Sequence, residues 1–519
     1  MTIIKNIQPI GNVSFTEGNY DFPNNQELSQ KVLELKEQDR IQAELSANEK
    51  LIFKLLNNEL DEFYTCAPEL FLKNISAQEL QINGVIITGF NSENPYGTYC
   101  LDSIHRAFQP IKISDNRFDI YRFTKFPTQN FSIISQKPLE LAQSQIDNAA
   151  FANITTSAQV ISICRKEKDT WNWSPSKIYP DGMHLLPSLH SSNQYAQSGF
   201  EGLAAMIAEN GDIVVSRPFD NARRLQSTCI SIGMPPVSEE QFFESIKYAL
   251  IANKSFLPSP GSNAKMYLRP YVQGINGGTG VAPASEYLFC VQAFPFGDYF
   301  ANRESVIDLV AIENTRRSFK HGMGNQKVSS NYGPTFTHKM LAKEGLLPDY
   351  PNQTFNDVYY FGESFDPITN KTIEVLEEDA AGNIFFISNP GNNLTITTPS
   401  LKRGTILPGF TRDTVLKMAY QMGAVVQELD HITWEDMHSY KGAFITGSAA
   451  GIVRIASMSY KGETITYNTL NEENKDIIAH TYYNLYDFLY DLRRGNCETF
   501  ADCPEIASIP TVIGNIYEL

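Results

Sequence analysis

The sequence predicts an α+β protein with more than one domain, and three observations support this fold class. First, 519 residues are more than a single hydrophobic core usually organises, and 42% hydrophobic residues are enough to fill several cores. Second, several segments repeat apolar residues at the spacing of an amphipathic helix. Third, shorter segments rich in β-branched and aromatic residues have the length and the flanking turn residues of β-strands.

The charge and the cysteine content exclude several classes of partner and site. A net charge of −16, without a long basic face of lysine and arginine, argues against nucleic acid and anionic membranes as partners. No apolar run reaches the roughly 18 residues that span a membrane, and the N-terminal residues lack the pattern of a targeting peptide. Seven scattered cysteines form neither a disulfide framework nor a zinc motif, so we expect free thiols, no metal and a cytoplasmic protein.

Residues 1–155 are expected to form an N-terminal α+β extension of unknown role. Apolar residues at helical spacing predict two helices within 25–64, and the pair Asn83-Gly84 predicts the turn of a hairpin within 80–90. A further strand is predicted at 118–126 and a short helix at 138–149. This region shows no catalytic constellation.

Residues 156–302 are expected to form a small domain. Helices are predicted at 195–206 (beginning after Gly199), 221–227 and 242–253, strands at 160–165, 213–215, 265–271 and 287–294, and an aromatic turn at 171–176. Between the last two strands lies the loop 274–281, GINGGTGV, which lacks the lysine and the spacing of a nucleotide-binding motif. We interpret it as a mobile loop or as a loop that faces a partner.

Residues 303–519 are expected to form a large domain. Strands are predicted at 306–310, 357–361, 372–377, 384–389 and 425–429, a further structured segment at 444–455, and helices at 336–344, 407–423 and 475–492. The helix at 407–423 has the clearest signals, because Thr411 is a suitable N-cap and Gly423 a suitable stop.

Lys327 is the candidate nucleophile. It lies at the centre of residues 321–334, HGMGNQKVSSNYGP, where glycine, asparagine and serine favour irregular backbone. A lysine amine held in a pocket can lose its proton near neutral pH and condense with a carbonyl group. Because most lysines lie on a solvated surface, this position alone does not establish a site.

The start of the helix at 407–423 is a candidate anion site. The backbone N–H groups of Phe410, Thr411 and Arg412 have no partner within the helix, and the helix dipole favours negative charge there. The turn 446–450, TGSAA, can add N–H and hydroxyl donors, and Arg224 can add a charged fork for phosphate oxygens. A plain capped helix would explain these residues without a ligand.

Seven short sequence motifs resemble those of the fold type IV pyridoxal-phosphate enzymes. Within that group, they most resemble the motifs of the branched-chain amino acid aminotransferases. They are YAQSGFEG at 195–202, SRPFDNARRL at 216–225, MYLRP at 266–270, KVSSNY at 327–332, EDAAGN at 378–383, ILPGFTR at 406–412 and ITGSAA at 445–450. The resemblance covers about residues 160–519. It implies the two α/β domains of that fold, with the cofactor between them, after the N-terminal extension.

The resemblance implies how the matched residues hold the cofactor, pyridoxal 5′-phosphate. Lys327 would bind it covalently and later move a proton between the substrate α-carbon and the cofactor. The other implied contacts are Glu378 at the pyridine nitrogen, Tyr332 at the ring hydroxyl, and Arg224, Phe410, Thr411, Gly447 and Ser448 at the phosphate. Without the matched motif EDAAGN, Glu377 would be a nearly equal candidate for the contact with the pyridine nitrogen.

The resemblance also implies the substrate contacts, which are Tyr195, Phe200, Tyr267, Arg269 and Ala449. Arg269, or a tyrosine near it, would bind the α-carboxylate. A pocket with aromatic walls accepts apolar side chains, which fits leucine, isoleucine and valine but does not separate them from methionine or aromatic amino acids.

Several positions depart from the family pattern. Ser329 and Ser330 replace a glycine pair, Ala381 and Ser448 stand where threonine is common, and no CxxC motif follows residue 450. The cofactor contacts remain complete, so we expect these departures to act on the substrate side.

The sequence therefore predicts transamination of a branched-chain or other apolar L-amino acid with 2-oxoglutarate, by a homodimer whose loop 274–281 reaches the partner's site. Within the same fold, an aminodeoxychorismate lyase, a D-amino acid aminotransferase or an aminotransferase of specialised metabolism remain alternatives. A pseudoenzyme with a binding or regulatory role is another, but the joint presence of Lys327, Glu378, Tyr332 and Arg224 argues against it.

Overall fold

The computed structural model describes residues 80–82, 85–87, 123–125, 130–136, 138–150, 154–262, 264–297, 304–366, 369–467 and 475–518. The two helices expected within 25–64 lie outside these residues. The chain divides into two units, residues 1–136 with 182–186 and residues 137–181 with 187–519. The expected domain boundaries at 155 and 302 stay a prediction.

The first unit contains two small antiparallel sheets among its described residues. Strand β1 (Leu80–Ile82) pairs with β2 (Val85–Ile87), with Ile82 opposite Val85, which confirms the predicted hairpin. The other sheet has the order β3-β4-β8, formed by β3 (Phe123–Lys125), β4 (Ser132–Ser135) and β8 (Gly182–Leu185).

The second unit contains the remaining described strands, which form two large sheets. The first sheet contains β5 (Ala158–Glu167), β6 (Thr170–Trp173), β7 (Lys177–Pro180), β9 (Ser198–Phe200), β10 (Leu203–Ile207), β11 (Asp212–Ser216), β12 (Lys265–Gly274), β13 (Glu286–Phe296) and β23 (Pro510–Asn515). The second sheet contains β14 (Val306–Val310), β15 (Asp357–Asp366), β16 (Lys371–Asp379), β17 (Asn383–Ser388), β18 (Thr395–Pro399), β19 (Val425–Leu429), β20 (Gly442–Gly447), β21 (Gly451–Tyr460) and β22 (Glu463–Thr466).

The described helices all belong to the second unit. They are α1 (Gln143–Asp147), α2 (Ser191–Tyr195), α3 (Pro218–Ser231), α4 (Glu239–Ala252), α5 (Thr335–Lys343), α6 (Phe410–Gln421), α7 (Trp434–Met437), α8 (Lys475–Arg493) and α9 (Pro504–Ala507). None of the helices in the described ranges is long and apolar enough to cross a membrane.

The first sheet is antiparallel and carries α3 and α4 against its core. Its strand order is β23-β11-β10-β12-β13-β5-β6, with β7 beside β5 and β9 beside β12. The apolar face of α4 is fully buried at Phe242, Ile246 and Leu250 and packs against strand residues such as Phe289. Helical spacing of these residues is why α4 could be predicted.

The second sheet is mixed, and its strands β17, β18 and β20 are buried on both faces. Its order is β16-β15-β14-β21-β20-β17-β18-β19, and β14 runs parallel to both β15 and β21. In β17, Ile384 and Phe386 belong to one core cluster and Phe385 and Ile387 to another. A strand covered on both sides needs a continuous apolar run, which explains the sequence NIFFIS.

Two expectations from the sequence are wrong. The predicted helix at 195–206 is replaced by the end of α2 and by strands β9 and β10. All five residues of β10 are buried, and the strand pairs with β11 on one side and β12 on the other. Its apolar run is therefore that of a central strand, not of one helix face. The predicted turn at 171–176 begins as strand β6, which pairs with β5.

The start of α6 also differs from the prediction. Gly409 is the N-cap, with extended φ and ψ, and Phe410 is the first helical residue, so Thr411 lies in the first turn. The other helices and strands predicted after residue 156 are present, in most cases with bounds shifted by a few residues.

Candidate active site

Elements of both large sheets meet at one cleft in the second unit. The cleft contains about 650 Å³ of empty space, including its opening to solvent. Most of the residues predicted for cofactor and substrate line it: Arg224, Tyr267, Lys327, Tyr332, Glu378, Phe410, Thr411, Gly447, Ser448 and Ala449. The structure thus brings together residues that are more than 200 positions apart in the sequence.

The backbone around Lys327 is fixed to two neighbouring elements. Its carbonyl oxygen accepts a hydrogen bond of 3.1 Å from the Phe200 N–H on β9, and its own N–H donates to the Thr228 hydroxyl on α3 at 3.2 Å. A β-bridge joins Gly199 to Val328. Gly199 permits this approach, because a β-carbon there would lie 2.5 Å from a Thr228 methyl carbon.

The Lys327 amine points at aromatic and hydroxyl groups. Its Nζ donates to the Tyr332 hydroxyl at 3.3 Å and lies 5.0 Å from the centre of the Phe200 ring. The Phe200 and Tyr332 rings are in turn 5.1 Å apart. The amine is therefore held at the cleft without a carboxylate partner among the contacts described, which leaves it available as a nucleophile.

Glu378 is a buried carboxylate held by three donors. It lies near the end of β16 with 3% of its surface exposed. Its Oε1 accepts from Arg317 Nη2 and from the Leu407 N–H at 3.0 Å, and its Oε2 accepts from Asn383 Nδ2 at 2.8 Å. Burial raises the pKa of Glu378 to about 7, although the positive charge of Arg317 opposes that rise.

The structure decides between Glu378 and Glu377, which the sequence left nearly equal. Neighbouring residues of a strand point to opposite faces, and Glu378 lines the cleft while Glu377 does not. Glu377 instead pairs with Arg403, its Oε1 lying 3.3 Å from Arg403 Nη2. A β-carbon at Gly362 would clash with this pair, since it would lie 2.1 Å from Glu377 Oε1.

Arg224 reaches the cleft while paired with a buried glutamate. Its Nε and Nη2 donate to Glu201 at 2.8 and 2.7 Å, and its Nη1 donates to the Pro408 carbonyl at 2.9 Å. Its guanidinium carbon lies 4.0 Å from the centre of the Phe410 ring. Three of the five guanidinium N–H donors are used, so two remain for a ligand.

The first turn of α6 and the β20–β21 turn form the anion end of the cleft. No side chain caps the N-terminus of α6, so the Phe410 and Thr411 N–H groups are open toward the cleft they line. Gly409 is required there, because its β-carbon would lie 2.2 Å from Asn383 Oδ1. Nearby, the buried Thr446 hydroxyl has no partner in the described part of the chain. Donors and a helix dipole converge here on space for an anion.

The predicted substrate residues Phe200, Tyr267 and Arg269 form one contact group beside the cleft. Arg269 Nη2 donates to the Tyr267 hydroxyl at 2.9 Å, and its guanidinium carbon lies 4.8 Å from the Phe200 ring centre. Gly202 makes room for the Tyr267 hydroxyl, since a β-carbon would lie 2.1 Å from it. Ala449 packs against the cluster that contains Tyr267. Only Tyr267 and Ala449 of this set line the cleft directly.

Tyr195 is not brought to the cleft of its own chain. It is 39% exposed, and its hydroxyl donates to the Thr279 carbonyl at 2.7 Å in the glycine-rich loop. Its predicted contact with substrate therefore has no support from the geometry of this cleft.

Three residues of the site were missed by the sequence argument: Glu201, Arg317 and Asn383. Glu201 and Asn383 lie inside the matched motifs YAQSGFEG and EDAAGN, and this position could have identified them as site residues. Arg317 had none, because it lies in the polar run TRRSFK, which resembles a solvated surface segment.

Known proteins with similar sequences are aminotransferases. Residues 368–458 match the family model "Amino-transferase class IV". A branched-chain amino acid aminotransferase of Humulus lupulus is 32% identical over 331 residues, which cover 64% of this chain and 75% of the relative. A branched-chain-amino-acid aminotransferase of Helicobacter pylori is 29% identical and is covered to 95% of its length. A methionine aminotransferase of Arabidopsis thaliana is 30% identical and is covered to 94%.

Solved structures share the fold. A branched-chain amino acid aminotransferase of T.th., solved with pyridoxamine 5′-phosphate, aligns with a TM-score of 0.50 at 20% identity, covering 69% of this chain and all of that protein. The same enzyme with 4-methylvaleric acid also aligns with a TM-score of 0.50, at 19% identity.

Proposed function

Because this chain belongs to the branched-chain amino acid aminotransferase family, we propose that it transfers the amino group of a branched-chain or other apolar L-amino acid to 2-oxoglutarate. Pyridoxal 5′-phosphate is its cofactor. The observation that carries this proposal is the convergence of Lys327, Glu378 and Arg224 with the first turn of α6 on one cleft. The fold of this family is also the fold found here.

The residues of the cleft fit the chemical groups of this cofactor. Arg224 with two free N–H donors, the N-terminus of α6 and the unpartnered Thr446 hydroxyl suit a phosphate. The buried carboxylate of Glu378 suits a protonated ring nitrogen. Lys327 and Tyr332 suit the aldehyde and the neighbouring ring hydroxyl.

The cofactor, when bound, supplies the electron sink that the change at the substrate α-carbon needs. The chain supplies binding, orientation and proton transfer. Lys327 Nζ is the base that takes the α-proton of the amino acid and the acid that returns a proton during transfer. Glu378 would accept a hydrogen bond from the ring nitrogen, and Tyr332 would orient the ring. The Phe200 and Tyr267 rings limit the access of water to the amine side.

The substrate side supports an apolar side chain and one carboxylate. Tyr267 and Ala449 line the cleft, and Arg269 lies directly behind Tyr267 as a cation for an α-carboxylate or for the distal carboxylate of 2-oxoglutarate. The similarity to a methionine aminotransferase of Arabidopsis thaliana makes methionine a second candidate substrate. Of the positions that differ from the family pattern, Ala381 and Ser448 line the cleft, whereas Ser329 and Ser330 do not. Ala381 and Ser448 are therefore the better candidates for an altered substrate selectivity.

A homodimer is part of the proposal. Val281 in the glycine-rich loop is 89% exposed and Tyr195, bonded to that loop, is 39% exposed. Apolar side chains on an exposed loop favour burial against another protein surface. A second copy could then use Tyr195 at its own cleft, which would explain why Tyr195 lies away from the cleft of its own chain. The cytoplasmic location stays a prediction.

A panel of half-reactions tests the function. Purified protein loaded with pyridoxal 5′-phosphate is mixed with single L- and D-amino acids, and loss of the visible absorption of the lysine-bound cofactor is followed. We expect fast loss with L-leucine, L-isoleucine and L-valine, and none with Lys327→Ala. Fast loss with L-methionine alone would move the substrate to the second candidate. No loss with any L-amino acid would contradict the proposed reaction.

A further inference from the structure

Arg317 is a buried cation at the cleft that the proposed reaction does not yet use. It is 7% exposed, and its Nη2 donates to Glu378 Oε1 as well as to the carbonyl oxygens of Gly324 at 3.1 Å and Thr405 at 3.2 Å. Two backbone segments therefore hold its guanidinium in place. Gly324 permits this packing, because a β-carbon there would lie 2.2 Å from the Thr405 carbonyl oxygen.

The donors around Glu378 leave little freedom to its carboxylate. Arg317, the Leu407 N–H and Asn383 occupy three of about four acceptor positions on the two oxygens. Glu378 lines the cleft, so the remaining acceptor position is available to a donor in the cleft. A carboxylate fixed in this way can receive one N–H group from a ligand.

The charge of this carboxylate is set by competing neighbours. Burial and the nearby carboxylate of Glu377 favour the protonated form, whereas Arg317, the Leu407 N–H and, more weakly, Lys327 favour the ionised form. Arg317 is the larger of the two favourable charges. Without it, the pKa of Glu378 would rise further, so a larger fraction of Glu378 would hold a proton at neutral pH and present a donor where an acceptor is needed.

We propose that Arg317 is a positioning residue that keeps Glu378 ionised and aimed at the cleft, so that Glu378 can accept the N–H of the cofactor's ring nitrogen. This inference rests on the proposed function, because it assigns a role toward pyridoxal 5′-phosphate. It adds a residue that acts through Glu378 and does not itself contact the substrate. The protonated ring nitrogen is the feature that makes the cofactor an effective electron sink.

The neighbouring pair Arg403–Glu377 provides a matched control. It is also an arginine paired with a buried glutamate, one residue earlier on β16, but Glu377 faces away from the cleft. Arg403 lies outside β16 and is partly exposed, so its replacement removes the arginine partner of a neighbouring buried glutamate without touching Glu378. A purely structural effect of losing an arginine paired with β16 would appear in both variants.

The experiment compares Arg317→Gln, Arg317→Lys and Arg403→Gln with the wild type. The cofactor is removed from the purified holoenzyme, and the dissociation constant of added pyridoxal 5′-phosphate is measured by quenching of intrinsic fluorescence from about pH 6.5 to about pH 9. At neutral pH we expect Arg317→Gln to bind about 10- to 100-fold more weakly than wild type, by analogy with other residues that orient a ligand-binding group. Arg403→Gln should stay within about twofold.

The pH dependence separates charge from structure. Loss of Arg317 raises the pKa of Glu378, so the ratio of the Arg317→Gln and wild-type dissociation constants should fall as the pH rises and Glu378 ionises. Arg317→Lys restores a cation and should recover part of the affinity at neutral pH. It also serves as the second variant if Arg317→Gln fails to fold.

Three outcomes decide the inference. A ratio that falls with rising pH, together with partial recovery in Arg317→Lys, supports it. A wild-type affinity in both Arg317 variants, or a loss that is equal at every pH and is shared by Arg403→Gln, overturns it. Failure of the wild-type protein to bind pyridoxal 5′-phosphate at all would instead overturn the proposed function, so the two failures are distinguishable.

Discussion

The cleft has two buried arginine–glutamate pairs, and they are used in opposite ways. In the pair Arg224–Glu201 only the arginine lines the cleft, while the glutamate is fully buried behind it. In the pair Arg317–Glu378 both residues line the cleft, the carboxylate has an acceptor position free, and the arginine balances its negative charge. The same two residue types therefore offer donors at one end of the cleft and an acceptor at the other.

The difference shows how a chain can present a single charge in a buried site. An isolated buried charge is costly, so each functional group is stabilised by a partner that takes no part in ligand binding. The member of the pair that binds the ligand decides what the ligand must be. A phosphate fits the end of Arg224, and a protonated ring nitrogen fits the end of Glu378.

The largest effect is expected when the acceptor end is broken. Glu378→Gln keeps the shape but removes the charge, so we expect kcat of transamination to fall by roughly 10²–10³-fold, as is usual when a group that stabilises developing charge is lost. Glu377→Gln, the neighbouring residue on the other face of β16, should keep near wild-type kcat once folded. Equal losses in both variants would contradict the assignment of Glu378.

The donor end can be tested separately with two ligands. Arg224→Gln should weaken binding of pyridoxal 5′-phosphate by about 10²-fold, because two charge-assisted hydrogen bonds are lost, and should leave binding of unphosphorylated pyridoxal nearly unchanged. Dissociation constants for both compounds are measured by fluorescence quenching.

Two controls accompany this test. Arg223→Gln removes the adjacent, exposed arginine that pairs with Asp220 and Glu239, and should affect neither ligand. The double variant Arg224→Gln with Glu201→Gln removes the glutamate left without a partner, and should restore thermal stability but not phosphate affinity. If Arg224→Gln weakens both ligands equally, the donor end does not bind the phosphate.

A smaller effect is expected between the two ends, at the backbone of Lys327. Thr228→Val keeps the shape of the side chain but leaves the Lys327 N–H without its acceptor. We expect the half-reaction rate to fall about 2- to 10-fold, the range of one hydrogen bond, and Thr228→Ser to retain most of the rate. Stopped-flow absorbance measures both, and a Thr228→Val rate equal to wild type would show that this hydrogen bond does not position the amine.

The smallest effect concerns pH and the stability of the protein without cofactor. The pKa of Glu378 is raised from 4.5 to about 7 in the folded state, so the folded form binds this proton more tightly than the unfolded form. Its contribution to stability is present at low pH and is lost as the pH rises through about 7. The free energy of unfolding of wild type, relative to Glu378→Gln, should therefore decrease between these two pH values. Denaturant titrations at several pH values measure it, and a constant difference would contradict the raised pKa.

Much of the cleft could be predicted because its residues belong to short sequence motifs that occur in the same order as in the family. As the matched motifs implied, the cleft is lined by Lys327, Tyr332, Arg224 and the first turn of α6. The anion site also had a physical signal, because a helix start directly after a glycine is recognisable in the sequence. The roles of these residues remain the proposal that the experiments test.

Other features could not be predicted because they depend on tertiary contacts. The segment 203–207 has apolar residues that fit a helix or a buried strand, and only its pairing with β11 and β12 selects the strand. The partnership of Arg317 with Glu378 joins residues 61 positions apart, and nothing local marks Arg317 as buried. Tyr195 belongs to a matched motif, but the position of its side chain depends on the loop to which its hydroxyl is hydrogen-bonded.

The attachment of pyridoxal 5′-phosphate to Lys327 tests the central claim most directly. Borohydride reduction of the purified holoenzyme fixes the cofactor to the amine that holds it, and peptide mass mapping then locates the added mass. We predict that the mass lies on Lys327 in wild type and is absent in Lys327→Ala, while Lys320→Ala, which changes an exposed lysine just before the segment 321–334, keeps it. Label on another lysine, or no label after loading with excess cofactor, would contradict the assignment of this cleft.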